Sequence, residues 1–270
     1  MGRLKPTNDF IFKKIFGQNK NADLLKDLLE SILTDIKIHK VEINKDVSLE
    51  RKMITDKLGI LDVVVTLNDS TKVNVEMQVK NYYNTIERSL FYGTGMYHET
   101  LESGKNYIDI PHSISIWITD YNVFEEGPFH EKAKLRRDFE NKVLTTDKLQ
   151  IHYIQLPKFR EKCERISSKL EEWLTFIENE NLEEIKMSNN ENIKKAEEEL
   201  EYLTGDEEIR RLAYLRDKAI RDEISAMTGA MEEGRQEAKK EDAKKMLAKK
   251  IDMNLIIEIT GLTKEEIENL

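Results

Sequence analysis

The sequence predicts an α/β or α+β domain over residues 1–160, followed by a mostly helical region. Three observations carry this. Two apolar stripes at helical spacing open the chain, strand-like runs follow between residues 60 and 156, and the strand signals stop after Glu161. The segments read as helix, helix, strands, helix, strand, strand.

Thr7, Asn8 and Asp9 offer N-caps, and Phe12, Ile15 and Phe16 form the first stripe, broken at Gly17. Leu24, Leu25, Leu28, Leu29 and Ile32 form the second. The period then changes: Val41, Ile43 and Val47 alternate with polar residues. ILDVVVTL at 60–67 is apolar and β-branched, as in a strand covered on both faces. Asn68, Asp69 and Ser70 supply turn chemistry. In KVNVEMQVK at 72–80, Val73, Val75, Met77 and Val79 face one way, and Asn74, Glu76, Gln78 and Lys80 the other. This predicts a hairpin with a polar stripe. Residues 84–103 read as a helix with Ile86, Leu90, Tyr97 and Leu101 along one face, and Gly93 and Gly95 as points of close packing or a break. HSISIWI at 112–118 and LQIHYIQL at 149–156 read as strands, the second ended by Pro157.

From 161 to 250 the chain is rich in Glu, Lys, Ala and Leu. This predicts charged, solvated helices with one apolar seam, jointed at Thr204-Gly205-Asp206, which could also form an oligomer interface or a coiled coil. Residues 251–270 read as a small helical pair: Gly261 closes one helix, and Thr263 with Glu266 makes a capping box for the next. Half of a helix-turn-helix is the other reading. Glu265, Glu266 and Glu268 make its second helix acidic and a poor groove reader.

Charge is distributed unevenly. The net charge is −9, but residues 161–208 carry 16 acidic and 6 basic side chains, so the rest is near +1. Those other surfaces can approach a polyanion. One cysteine, Cys163, excludes an intrachain disulfide framework. No apolar run has the length of a membrane span, and MGRLKPTNDF holds no apolar signal core. The expectation is a soluble cytoplasmic protein with no membrane partner.

Phosphate-loop, dinucleotide, serine-hydrolase, HExxH and CxxC motifs are missing, and no two histidines stand at helical metal spacing. What remains is Asp62 with Glu76 and Gln78. A carboxylate inside an apolar run needs a cation, a donor or a wet strand end. A hairpin around 68–70 sets residue 62 beside residue 76, and two adjacent carboxylates favour a divalent cation, Mg²⁺ or Mn²⁺, between them. Such an ion activates water and stabilises charge on phosphate. The plainer alternative makes Glu76, Gln78 and Lys80 the solvated face of an edge strand. Lys13 and Lys14 read either as phosphate contacts or as a helix's wet face. Arg88 reads as a DNA-backbone contact or an ordinary ion pair. Tyr82, Tyr83, Tyr92 and Tyr97 read as base-stacking rings or as packing.

TNDFIFKKIFG at 7–17, LDVVV at 61–65, VNVEMQVK at 73–80, LQIHYIQLPKF at 149–159 and ITGLTKEEIENL at 259–270 resemble the PD-(D/E)xK nuclease superfamily, in its recombination-promoting nuclease and transposase branch. The resemblance implies a restriction-endonuclease-like mixed central sheet flanked by helices, with a mostly helical C-terminal region. It implies a metal-dependent DNA endonuclease acting on double-stranded DNA, linked to recombination or mobile elements. Asp62 and Glu76 match its two metal-binding acids, with the Met77 carbonyl a further ligand. Gln78 stands where the superfamily has Lys and Leu61 where it often has Pro. Lys80 could supply the missing cation. Asp9 and Glu30 are candidates for an upstream acid. DNA contacts fall to Lys80, Arg88, Lys13 and Lys14. The alternative is a catalytically weak or inactive DNA-binding or protein-interaction module on the same fold, self-associating through its helical tail.

Overall fold

The computed structural model describes residues 2–44, 63–68, 70–100, 106–137, 147–162, 166–178 and 182–270. They form two compact units, Met1–Arg216 and Asp217–Leu270.

The first unit is built on a six-stranded mixed sheet in the order β1-β2-β3-β4-β6-β5. The strands are β1 (Val41–Ile43), β2 (Val63–Leu67), β3 (Thr71–Gln78), β4 (Ser113–Thr119), β5 (His130–Lys134) and β6 (Leu149–Gln155). β1, β2 and β3 run antiparallel in sequence, β3, β4 and β6 are parallel, and β5 closes the far edge antiparallel to β6. The predicted hairpin is present, with Val63 opposite Val75 and Leu67 opposite Thr71. Asn68 takes the turn at φ 51°, a left-handed conformation Asn tolerates. β5 carries no apolar alternation. HEKAK is a charged edge strand, the composition that blunts an unpaired ladder.

One face of the sheet is apolar. Val73, Val75 and Met77 of β3 line up with Ile114, Ile116 and Ile118 of β4. Against them pack α1 (Asp9–Phe16) and α2 (Ala22–Ile32), through Phe12, Phe16, Leu24 and Leu28. Asn8 caps α1, its side chain accepting from the Ile11 amide. The next helices are α3 (Thr85–Glu99), α4 (Leu156–Lys162), α5 (Lys169–Glu178), α6 (Leu182–Met187) and α7 (Glu191–Gly205). Pro157 stands in the first turn of α4, where its missing N–H costs nothing, so β6 ends at Gln155. The apolar seam expected of these helices is buried in α5 and α7, with most of their charged side chains outward. Trp173, Leu174, Phe176, Ile193 and Leu200 are buried in the same core as α1 and α2. Asp27 of α2 ties them together, accepting from Trp173 Nε1 at 2.9 Å and Asn190 Nδ2 at 2.8 Å and pairing with Lys169 at 2.7 Å.

The other face is covered by α3, but not by the stripe the sequence suggests. Ile86 and Leu90 are exposed, while Thr85, Ser89, Tyr92, Gly93 and Met96 face inward; Leu101 lies outside the described residues. The reason is the polar sheet face beneath. Ser89 Oγ bonds Tyr153 Oη at 2.5 Å, and Ser113 Oγ donates to the Gly93 carbonyl at 3.0 Å. A Cβ on Gly93 would meet Leu149 Cδ1 at 3.4 Å, so the predicted close packing is present there. Gly95 faces open space.

α8 (Glu207–Ala248) passes from the first unit into the second, where its end packs with α9 (Met253–Thr260) and α10 (Lys264–Glu268). Ala243, Ile256, Leu262 and Ile267 form their core. The predicted caps are present: Gly261 has φ 69°, and Thr263 and Glu266 form a capping box. No helix among the described residues is long and apolar enough to cross a membrane.

Candidate active site

β3 positions the candidate residues. Its register with β4 sets Glu76 beside Trp117 and Gln78 beside Thr119, all on the α3 side of the sheet. Glu76 is 2% exposed. A carboxylate so buried must be bonded or neutralised. Asn74 Nδ2 donates to its Oε1 at 3.2 Å, and Gln78 Nε2 approaches Oε2 at 3.4 Å. Glu76 is therefore not the solvated face of an edge strand. β3 is an interior strand and the polar stripe is covered.

Lys80, just past β3, and Arg88 of α3 share one aromatic ring. Lys80, 6% exposed, places Nζ 4.4 Å from the centroid of Tyr82. The Arg88 guanidinium lies 5.4 Å from the same ring, 5.8 Å from Tyr92 and 5.4 Å from Trp117. Trp117 stacks on Tyr92 at 6.1 Å and donates from Nε1 to Ser115 Oγ at 2.8 Å. Aromatic faces hold a desolvated cation by their quadrupole. Tyr92 is therefore packing, while Tyr83 is exposed.

Tyr121, just past β4, is a residue the sequence reading missed. Its hydroxyl is 2.8 Å from Thr85 Oγ1. Burial pushes the Tyr121 hydroxyl above the usual phenol range; the Thr85 bond and the Arg88 charge oppose this, and the Glu76 charge adds to it. The hydroxyl thus sits in the field of both Glu76 and Arg88. No motif signals it, because its partner Thr85 is 36 residues away in sequence.

The remaining predicted residues separate. Asp62 and Leu61 lie outside the described residues, as does Cys163. Met77 buries its side chain in the opposite, apolar face, so any part it has at the site is through its main-chain carbonyl. Lys13 and Lys14 are on α1, across the sheet from Glu76; Lys13 is exposed, and Lys14 Nζ lies 5.4 Å from the Phe10 ring. Asp9 is engaged by Arg216, with Nε donating to its Oδ2 at 2.7 Å. Glu30 pairs with Lys26 and Lys169 at 3.7 and 3.4 Å. Both acids are on the α1–α2 side.

The Glu76 carboxylate, the Gln78 amide oxygen and the Met77 carbonyl are all hard oxygen donors, which fits Mg²⁺ or Mn²⁺ and not a soft ion. Among the described residues no three His, Cys, Asp or Glu side chains gather into a metal-holding group. Two histidines do meet on the apolar side: His130 Nε2 and His152 Nδ1 are 3.0 Å apart.

A mixed sheet with a buried acid, Glu76, in the polar stripe of its third strand and helices on both faces is the architecture of a PD-(D/E)XK nuclease. Residues 6–230 match the family described as PD-(D/E)XK nuclease family transposase. The match covers most of the chain, and the chain belongs to this family. Residues 236–270 match the C-terminal HTH domain of the Rpn/YhgA-like nuclease family. That match adds the end of α8 to the two short helices as a third helix, where the sequence suggested only a pair. No curated protein and no solved structure matches the chain. Nucleases of this family generally use divalent metals.

Proposed function

We propose that the chain is a divalent-metal-dependent DNA endonuclease that hydrolyses phosphodiester bonds in double-stranded DNA, with Asp62 and Glu76 as the metal-binding acids and Mg²⁺ or Mn²⁺ as the ion. The observation that carries this is Glu76: a buried carboxylate on an interior strand, bonded by two side-chain amides and beside Trp117, whose ring holds the Arg88 guanidinium. Val63, the residue after Asp62, pairs with Val75, the residue before Glu76, which supports the pairing of the two acids.

A divalent ion held by these residues with the Met77 carbonyl supplies activation of water and neutralises charge on the phosphate. Gln78, bonded to Glu76, orients the water through its amide. Lys80 supplies the positive charge that the superfamily places at position 78. Arg88 contacts the DNA backbone, and Tyr82 holds both cations against the site. Lys13 and Lys14, across the sheet from Glu76, make a DNA contact separate from the cleavage site, in keeping with a surface outside 161–208 that carries no net negative charge. Recombination or mobile-element activity, a cytoplasmic location and self-association through the helical C-terminal region belong to the same reading.

The test is cleavage of supercoiled plasmid by the native chain and by Asp62→Ala with Mg²⁺, Mn²⁺ or EDTA. Metal-dependent nicking lost in Asp62→Ala supports the nuclease. A second reading, a DNA-binding module without cleavage, is favoured by Gln78 in place of the usual Lys. It predicts no nicking and an unchanged DNA affinity in Asp62→Ala.

A further inference from the structure

In the second unit, α8 carries a row of apolar side chains that nothing in that unit covers. From Asp217 to Asp242 no side chain is buried. Yet Ile220, Ile224, Met227, Met231, Gly234 and Ala238 recur at steps of four and three. That 3.5-residue period keeps them on one seam of a helix, the pattern of a two-stranded coiled coil. Ile224 is 40% and Met231 57% exposed. The same stretch contains Gly229 and Gly234, which weaken a helix that stands alone.

We propose that the seam is covered by the same seam of a second copy of the chain, with the two helices antiparallel. This deepens the self-association proposed above and does not depend on cleavage. The flanking charges choose the direction. Side by side and parallel, the two copies set Arg216 against Arg221 and Glu237 against Asp242, two like-charged pairs. Antiparallel, Ile224 meets the partner's Met227 and Ile220 meets the partner's Met231. Glu237 then faces the partner's Arg216, a residue that also holds Asp9, and one like-charged pair remains, Asp242 with the partner's Glu207, against two in the parallel arrangement. Gly234 then stands opposite the partner's Asp217, a small residue against a polar one. From Asp217 to Gly234 each layer pairs Ile with Met or a small residue with a polar one, so the two apolar layers are continuous; Ala238 lies beyond them, because its counterpart Ala213 is buried in the core of its own first unit.

The experiment uses the full chain with Cys163→Ser, so that introduced cysteines are the only thiols. Light scattering at about 50 μM should give a dimer, and Ile224→Glu combined with Met227→Glu should give a monomer with an unchanged circular dichroism signal at 222 nm. Under mild oxidation Ile220→Cys with Met231→Cys should cross-link two chains. Met231→Cys alone should not, because eleven residues, about 16 Å of helix, separate it from its counterpart in an antiparallel pair. A monomeric native chain, or a dimer that survives both glutamates, overturns the seam. Cross-linking by Met231→Cys alone overturns the direction. Plasmid cleavage is scored on the same samples: its loss with the dimer intact counts against the nuclease reading and leaves the seam standing.

Discussion

Lowering the pH from 7 to 5 should destabilise the first unit by about 2 kcal/mol through one side chain, His152. It lies on β6 opposite Lys132 of β5, 1% exposed, with Nδ1 bonded to His130. Burial, then the neighbouring His130 and Lys132, push its pKa down to about 3; Asp35 opposes this and Lys134 adds to it. His130 is lowered as well, by burial and then by Lys132. Since the folded pKa lies below the ordinary value of 6.5, the neutral ring stabilises the fold above pH 6.5. That stability is lost as the pH falls from 6.5 towards 3. At pH 5 the unfolded ring binds a proton that the folded ring refuses, 1.5 pH units below its free pKa, which costs about 2 kcal/mol. Urea unfolding followed by tryptophan fluorescence reads this directly, because Trp117 and Trp173 are both buried in the first unit. The chain should lose about 2 kcal/mol more than His152→Leu between pH 7 and pH 5. Equal losses in the two proteins would mean that the buried His152 ring carries no such penalty.

Asp27→Ala should cost about 1–3 kcal/mol, since it leaves the donors of Trp173, Asn190 and Lys169 without their acceptor; chemical denaturation measures it, and a change under 0.5 kcal/mol would contradict the pin between α2, α5 and α7. The same carboxyl carries a pH signature. Burial raises it, but the bonds from Asn190, Lys169 and Trp173 outweigh burial and hold it below the ordinary range. Its contribution is therefore present at neutral pH and lost only as acid drives the pH through that lowered value. Gly95→Ala should raise stability by roughly 0.5–1 kcal/mol, because the new Cβ enters open space on a helix. Gly93→Leu should lower it, because that site already meets Leu149 at 3.4 Å.

The hairpin and its polar stripe were legible because period-two alternation fixes which side chains share a face. The register of Val63 with Val75 follows from turn residues at 68–70. The packed face of α3 was not legible. Ile86 and Leu90 look like a core stripe, but a helix over Asn74, Glu76 and Ser115 is selected for hydroxyls and small residues. β5 was missed because a charged edge strand carries no apolar signal. The burial of Trp173 and Leu200 was hidden by the acidic average of 161–208, since the charges occupy one side of each helix and the core the other. Within the candidate site, sequence picked out Glu76, Gln78, Lys80 and Arg88. The aromatic support from Tyr82 and Trp117 comes from the parallel β3–β4 pairing, and the place of Tyr121 from its bond to Thr85, 36 residues away, which no local pattern encodes.

The measurement that bears most directly on the account is nicking of supercoiled plasmid by the native chain and by Glu76→Gln. The substitution keeps the shape and the bond from Asn74 but removes the charge. Nicking is expected with Mg²⁺ or Mn²⁺, none with EDTA, and a loss of roughly 100-fold or more in Glu76→Gln at unchanged circular dichroism. Nicking that survives EDTA, or that Glu76→Gln retains, would contradict it.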